Sequence, residues 1–294
     1  MRIAYFDCFG GISGDMCLGA LVDLGIDLKE LEHRLKQAGL TGFRLAAQPV
    51  QRQGIGATQV IVEQQELSPP ARRLRQIQRI ITDGRFPQRV KHLSLQVFQR
   101  LAEAEGRVHR IPPEKVHFHE VGAADAVADI IGSAYCFYKL GFNTKKVYGM
   151  PVALGGGRIN SMHGKLSVPA PATLEILKNV PVFGGPVGYE LTTPTGAALY
   201  VNMVDEFCNY YPLMNNKKIG YGAGSMDLPI PNVFRIISAD SSIPTDNVSI
   251  LETNLDNITG EVLGHSFNKF LDAGALDVTI IPILMKKNRP GLPI

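Results

Sequence analysis

His117 and His119 stand two residues apart, with Glu120 beside them and Asp125 and Asp129 following. In an extended segment side chains alternate, so both imidazoles point to one face. Gly122 ends that segment. Residues 123–140 read as a helix on which Asp125 and Asp129, four apart, share a face. A turn folding that face over the strand gathers two nitrogen ligands and two or three carboxylates. Such a set suits a divalent first-row ion such as Ni, Zn, Mn or Fe. The ordinary alternative is that these histidines are surface or satisfied core residues and the carboxylates are solvated. His163, in a glycine-flanked loop ahead of Lys165, adds a third imidazole ligand or a proton acceptor.

Three segments place small residues where a strand gives way to a helix or loop: Gly10 to Gly14, Gly155 to Gly157, and Thr192 to Gly196. Glycines let backbone amides approach a ligand, and a helix N-terminus adds partial positive charge. Phosphate or carboxylate is the matching guest, which makes Gly10, Gly11, Ser13 and Gly14 a candidate cradle. None of the three has the Gly-Lys-Ser/Thr ending of a P-loop or the GxGxxG of a dinucleotide fold. Asp7 ends a strand as an aspartyl nucleophile would, but position 9 is Phe where a second Asp would stand. Cys8 and Cys17 flank the same turn, either as small apolar residues or as thiolates beside a metal path.

The elements that must position these groups are legible from periodicity. Residues 2–7 form a buried-strand pattern, 15–24 and 28–38 helices, and 43–50 with 57–62 a hairpin about Gln53-Gly54-Ile55-Gly56. Helices follow at 72–82 and 88–105, their arginines reading as a solvated face. Residues 151–154 read as a strand and 172–178 as a helix. Thr193 caps a helix through 203, with Pro194 at its first position. The stretch after Asn209, with Gly220-Tyr221-Gly222-Ala223-Gly224, reads as a loop, and 232–239 as a strand. Strand 248–255, helix 259–273 and strand 276–285 make one βαβ unit, too small to cover a sheet. The fold expected is mixed α/β, with a large N-terminal metal and substrate domain over 1–241. Residues 242–294 then hold a linker and the incomplete start of a second, ferredoxin-like domain.

The 294 residues carry a net charge of +3 and no Trp, which signals neither nucleic-acid nor membrane binding. Four scattered cysteines form no CxxC pair. MRIAYFDCFGG reaches an Asp within seven residues and does not read as a signal peptide. No apolar run reaches membrane-spanning length, so a reduced, cytoplasmic setting is expected.

Taken in order, Phe6 to Met16 (FDCFGGISGDM), His117 to Asp125 (HFHEVGAAD), His163 to Thr173 (HGKLSVPAPAT) and Thr193 to Ala197 (TPTGA) resemble the LarC family. The resemblance spans nearly the whole chain. It implies a nickel insertase of the lactate racemase cofactor pathway. Such an enzyme, of the lyase class, cyclometallates pyridinium-3,5-bisthiocarboxylic acid mononucleotide to the nickel-pincer nucleotide, with CTP and Mn(II) or Mg(II). It also implies an oligomer, lactate racemase downstream, and a complementary C-terminal segment on which full activity depends. Members carry a His-rich run where Gln64 to Arg75 has no His, and usually an Asp where Asn257 stands. The residue chemistry, rather than the resemblance, suggests His117, His119, Asp125 and Asp129 as nickel ligands and Glu120 and His163 as acid–base groups. Gly10, Gly11, Ser13, Gly14 and Lys165 would hold the substrate. A nickel-binding accessory without turnover and an unrelated metal-dependent hydrolase are the competing readings.

Overall fold

A computed structural model describes residues 2–64, 72–116, 118, 123–161, 164–241, 249–255 and 257–294. They divide into two units, Met1–Ile243 and Pro244–Ile294.

The first unit starts with β1 (Arg2–Asp7), whose alternate residues serve two faces. Ala4 and Phe6 enter the main core, while Ile3 and Tyr5 enter a smaller one behind the sheet. A glycine-rich turn leads to α1 (Gly14–Asp23), and Asp27 caps α2 (Leu28–Gln37) by accepting from the Lys29 amide at 2.9 Å. The hairpin of β2 (Phe43–Arg52) and β3 (Ile55–Gln64) turns at Gln53 and Gly54, both at positive φ as a two-residue type I′ turn requires. Helices α3 (Leu74–Asp83), α4 (Gln88–His109) and α5 (Ala124–Lys139) follow. Then come β4 (Lys146–Gly149), β5 (Val152–Ala153), the hairpin β6 (Arg158–Ser161) and β7 (Gly164–Ser167), and α6 (Pro171–Ile176). β8 (Val182–Phe183), α7 (Pro194–Met203), β9 (Glu206–Phe207), β10 (Met214–Ala223) and β11 (Val233–Ser241) complete the unit.

Seven strands form one mixed sheet in the order β2-β3-β10-β11-β1-β4-β9. β1 is antiparallel to β11 and parallel to β4. The Phe6 face carries α1, α4, α5 and α7 in one continuous core.

β10 is where the expected loop gives way to a strand. Its glycines are places of close approach rather than breaks. A Cβ on Gly222 would lie 1.8 Å from the Met16 carbonyl oxygen, and one on Gly220 would lie 2.3 Å from that of Ala20. Two bare positions on one face of β10 therefore let α1 lie backbone to backbone on the sheet.

In the second unit, β12 (Asn254–Leu255), α8 (Gly260–Asp272), β13 (Ile283–Met285) and β14 (Arg289–Pro293) build a three-stranded sheet in the order β12-β14-β13. Thr259 caps α8. The strands expected at 248–255 and 276–285 shrink to two and three residues, with Val248 outside the described residues. Both lie antiparallel to β14. β14 went unexpected because Pro290 and Pro293 lack amide donors and argue against a central strand. It is tolerated because each neighbour pairs with only part of it. Among α8 residues only Leu263 is buried, and Leu251, Leu276 and Leu284 are exposed.

Candidate active site

Backbone contacts bring the turn between β1 and α1 against the segment that leads into α7. The Ile12 amide donates to the Leu191 carbonyl at 2.9 Å, and the Thr193 amide donates to that of Ile12 at 3.1 Å. The approach leaves no room for side chains. A Cβ on Gly11, which sits at φ +84°, would lie 2.0 Å from the Leu191 oxygen, and one on Gly196 would lie 2.1 Å from the Ile12 oxygen. On Gly10 it would come within 2.7 Å of the Pro231 oxygen. Packing against protein backbone thus accounts for Gly10, Gly11 and Gly196.

Gly14 has different neighbours. A Cβ there would lie 2.7 Å from Asp129 Oδ2 and 3.0 Å from Thr195 Cγ2. The starts of α1 and α7 therefore meet the second turn of α5. Helix starts carry amides without intrahelical acceptors and a partial positive charge. The Gly11 and Ile12 amides are used internally, and the Met16 amide donates to Asp15 Oδ1 at 2.9 Å. The Asp15 amide also faces its own carboxylate, and those of Ser13 and Gly14 find no acceptor among the described residues. Ser13 gives α1 no side-chain cap because its hydroxyl donates to Asp15 Oδ1. At α7, Thr193 Oγ1 accepts from the Gly196 amide at 3.2 Å, with Pro194 at the first position as its sequence specifies.

Carboxyl groups crowd this junction. Asp129 is buried, and its Oδ1 has no hydrogen-bond partner among the described residues. Burial, then the nearby Asp15 and Asp125 charges, raises its pKa well above the ordinary carboxylate value. Asp15, half-buried, is raised as well, again chiefly by burial and against the opposing Ser13 hydrogen bond. Asp125 is exposed, with Oδ1 accepting from the Ala126 amide at 2.8 Å. The pair expected on one helix thus differs in character, one carboxyl solvated and the other orphaned inside the protein. An orphaned carboxyl beside a second one and free amides has two ways to be satisfied. It can keep a proton, or it can share a cation whose other partner is an anion held by the amides.

The other expected site residues are distributed as follows. His117, His119, Glu120 and His163 lie outside the described residues. Their neighbours Val116 and Phe118 are buried, and Phe118 packs on Phe98 with ring centroids 6.3 Å apart. Lys165 is exposed on β7 and forms no hydrogen bond or ion pair among the described residues. No three His, Cys, Asp or Glu side chains among the described residues gather as a metal site. Burial pushes the Cys8 and Cys17 thiols up to about 12, so they are small apolar side chains rather than thiolates.

Two features escaped the sequence. Asp15 belongs to the carboxyl group around Asp129, and its place directly after the glycine turn could have flagged it. Asp7 turns to the opposite face of the sheet. There it pairs with Arg235, its register neighbour on β11, and accepts from the Tyr211 hydroxyl. Arg235 lies 5.5 to 5.9 Å from the ring centroids of Phe9, Tyr211 and Tyr221. That occupied carboxylate ends the nucleophile reading, and no local signal joined residues 7 and 235.

Comparison with known proteins adds independent findings. Residues 4–294 match the family described as nickel insertion protein. A Desulfitobacterium hafniense relative, named pyridinium-3,5-bisthiocarboxylic acid mononucleotide nickel insertion protein, is 43% identical over 99% of this chain and 74% of its own length. One from Methanothermobacter thermautotrophicus, provisionally named a nickel insertion protein, is 45% identical over 96% of this chain and 69% of its own. No solved structure matches the chain.

Proposed function

The chain belongs to the nickel insertion protein family, and from that premise we propose that it inserts nickel into pyridinium-3,5-bisthiocarboxylic acid mononucleotide. The observation that supports this most is the junction at Gly14, where free helix-start amides lie beside the orphaned Asp129 carboxyl. The substrate carries a phosphate and two thiocarboxylates. It needs an anion cradle next to groups that hold nickel, the cargo, loosely enough for sulfur to take it.

In this reading the amides of Ser13 and Gly14 hold the phosphate, with Gly10 and Gly11 shaping the turn and Lys165 orienting the substrate. Asp125 and Asp129, with His117 and His119, carry the incoming nickel. Nickel arriving at Asp129 displaces the proton that burial and the neighbouring carboxyls favour. Formation of the nickel–carbon bond releases one proton from the ring carbon, and Glu120 or His163 accepts it. The described residues offer no cluster for the Mn(II) or Mg(II) that would accompany CTP.

The reaction assigns the chain to the lyases. Oligomeric assembly, a C-terminal segment completing the site, and handover to lactate racemase follow from the same family premise. Among the described residues no helix is long and apolar enough to cross a membrane. The cytoplasm, where the cargo and an unmodified thiol set would coexist, is the proposed setting.

The test is incubation with nickel and the dithio-mononucleotide, with and without CTP and the C-terminal segment of a longer relative. Formation of the metallated nucleotide, and its loss in Asp129→Asn, supports the reading. Nickel binding without product under every condition would instead make the chain a metal-binding accessory.

A further inference from the structure

At the other end of α5 lies a second concave site. The beginning of α4, the end of α5, the turn at Phe142–Thr144 and the end of α7 frame a cleft of about 540 Å³. That is within the size range of small-molecule sites. Thirteen residues of α5 separate Asp125 from Tyr138, which is about 20 Å along a helix rising 1.5 Å per residue. The cleft is therefore distinct from the carboxyl junction.

Its floor is apolar and its rim is basic. Phe137 and Phe142 are buried beneath it, and Tyr138 is half-buried at its side. Arg89, His92 and Lys145 line it, and none of the three forms an ion pair among the described residues. Arg89, exposed on the rim, reaches the turn, its Nη1 donating to the Asn143 carbonyl at 3.4 Å. The Lys145 ammonium stands 4.7 Å from the Phe142 ring centroid. Partial burial, then Arg2, lowers its pKa against the opposing pull of Asp240. An ammonium drawn out of water without a counter-ion is stabilised by an anion. The lining carries one carboxylate, Asp205, whose Oδ2 accepts from the Val147 amide at 2.8 Å.

We infer that this cleft binds an organic phosphate, its phosphoryl group between Arg89 and Lys145 and its ring or carbon body on the floor beside Tyr138. A planar guanidinium fork and a point-charge ammonium together match phosphoryl oxygens. The apolar floor distinguishes a phosphate ester from free phosphate. The inference is independent of the nickel reading.

Phenyl phosphate is the probe, titrated calorimetrically into the full chain, with inorganic phosphate and phenol as separate arms. Phenyl phosphate should bind more tightly than either. Arg89→Gln combined with Lys145→Gln should weaken it by roughly tenfold or more, as the loss of charge-assisted hydrogen bonds implies. In the unaltered chain, phenyl phosphate should protect Lys145 from amine acylation, a readout that does not depend on the variant folding. Binding no tighter than that of inorganic phosphate, equal binding by the variant, or no protection of Lys145 would overturn the proposal.

Discussion

Gly14 and Asp129 sit so close that a single methyl group on the glycine would stand 2.7 Å from Asp129 Oδ2. Residues 115 positions apart thus define one junction, and the space between them is already filled. Gly14→Ala should push the carboxyl and Thr195 aside, destabilising the fold by about 1–3 kcal/mol, as overpacking does. Urea unfolding measures it, and an unchanged midpoint would refute the contact.

Asp129 should impose a pH dependence of definite sign. Its folded pKa lies well above the ordinary 3.8. As pH rises past 3.8 the unfolded chain releases this proton while the folded chain keeps it, so stability falls until the folded pKa is passed. Asp129→Asn removes that loss. The variant should melt a few degrees higher than the unaltered chain at neutral pH, as about 1 kcal/mol would produce, with the gap closing toward pH 4. A variant that melts lower at neutral pH would show that the carboxylate is already satisfied.

The Asp7–Arg235 pair predicts a larger loss. Asp7 is 2% exposed, while the Arg235 side chain retains 29% of its exposure. Arg235→Ala would leave a buried carboxylate with only the Tyr211 hydroxyl and the Phe9 amide as donors. About 3 kcal/mol is expected, the lower end for a broken buried pair, because the guanidinium keeps some water. Denaturant titration checks this, and Asp7→Asn in the Arg235→Ala background should recover part of the loss.

Two glycines on the sheet should respond oppositely to alanine. Gly222→Ala drives a methyl into the Met16 carbonyl and should cost more than about 3 kcal/mol or prevent folding. At Gly56, on β3, an added Cβ meets nothing within 4 Å. Gly56→Ala should change stability by no more than about 0.5 kcal/mol. Similar midpoints for the two variants would contradict the packing of α1 on β10.

Thiol reactivity separates the cysteines. Cys8, Cys17 and Cys136 are buried, while Cys208 is half-buried. With Cys8 and Cys17 raised to about 12 by burial, a disulfide reagent at neutral pH should titrate Cys208 in the native chain and the other three only on unfolding. A Cys8→Ala, Cys17→Ala double variant should bind nickel as the unaltered chain does.

Much of the frame was legible from local signals, because local chemistry sets it. The buried run of β1, the hairpin around Gln53-Gly54-Ile55-Gly56 and the Thr193-Pro194 helix start each depend on residues a few positions apart. The helix bearing Asp125 and Asp129 was legible for the same reason, as was the family, through motifs read in order. β10 was not legible, since its glycines signal a turn until α1 is laid across them. Nor was β14, whose prolines weigh against a central strand until its short partners are seen.

The chemical character of the site was decided by tertiary structure alone. Sequence spacing placed two aspartates on one helix face. Only packing made one solvated and the other an orphan beside Asp15, because the charge state of a carboxyl depends on which distant segments exclude its water. The same holds for the amides left free at Ser13 and Gly14 and for Arg235 reaching Asp7 across the sheet. Pattern fixes the direction of a side chain within its own element, whereas the groups it meets come from elsewhere in the chain.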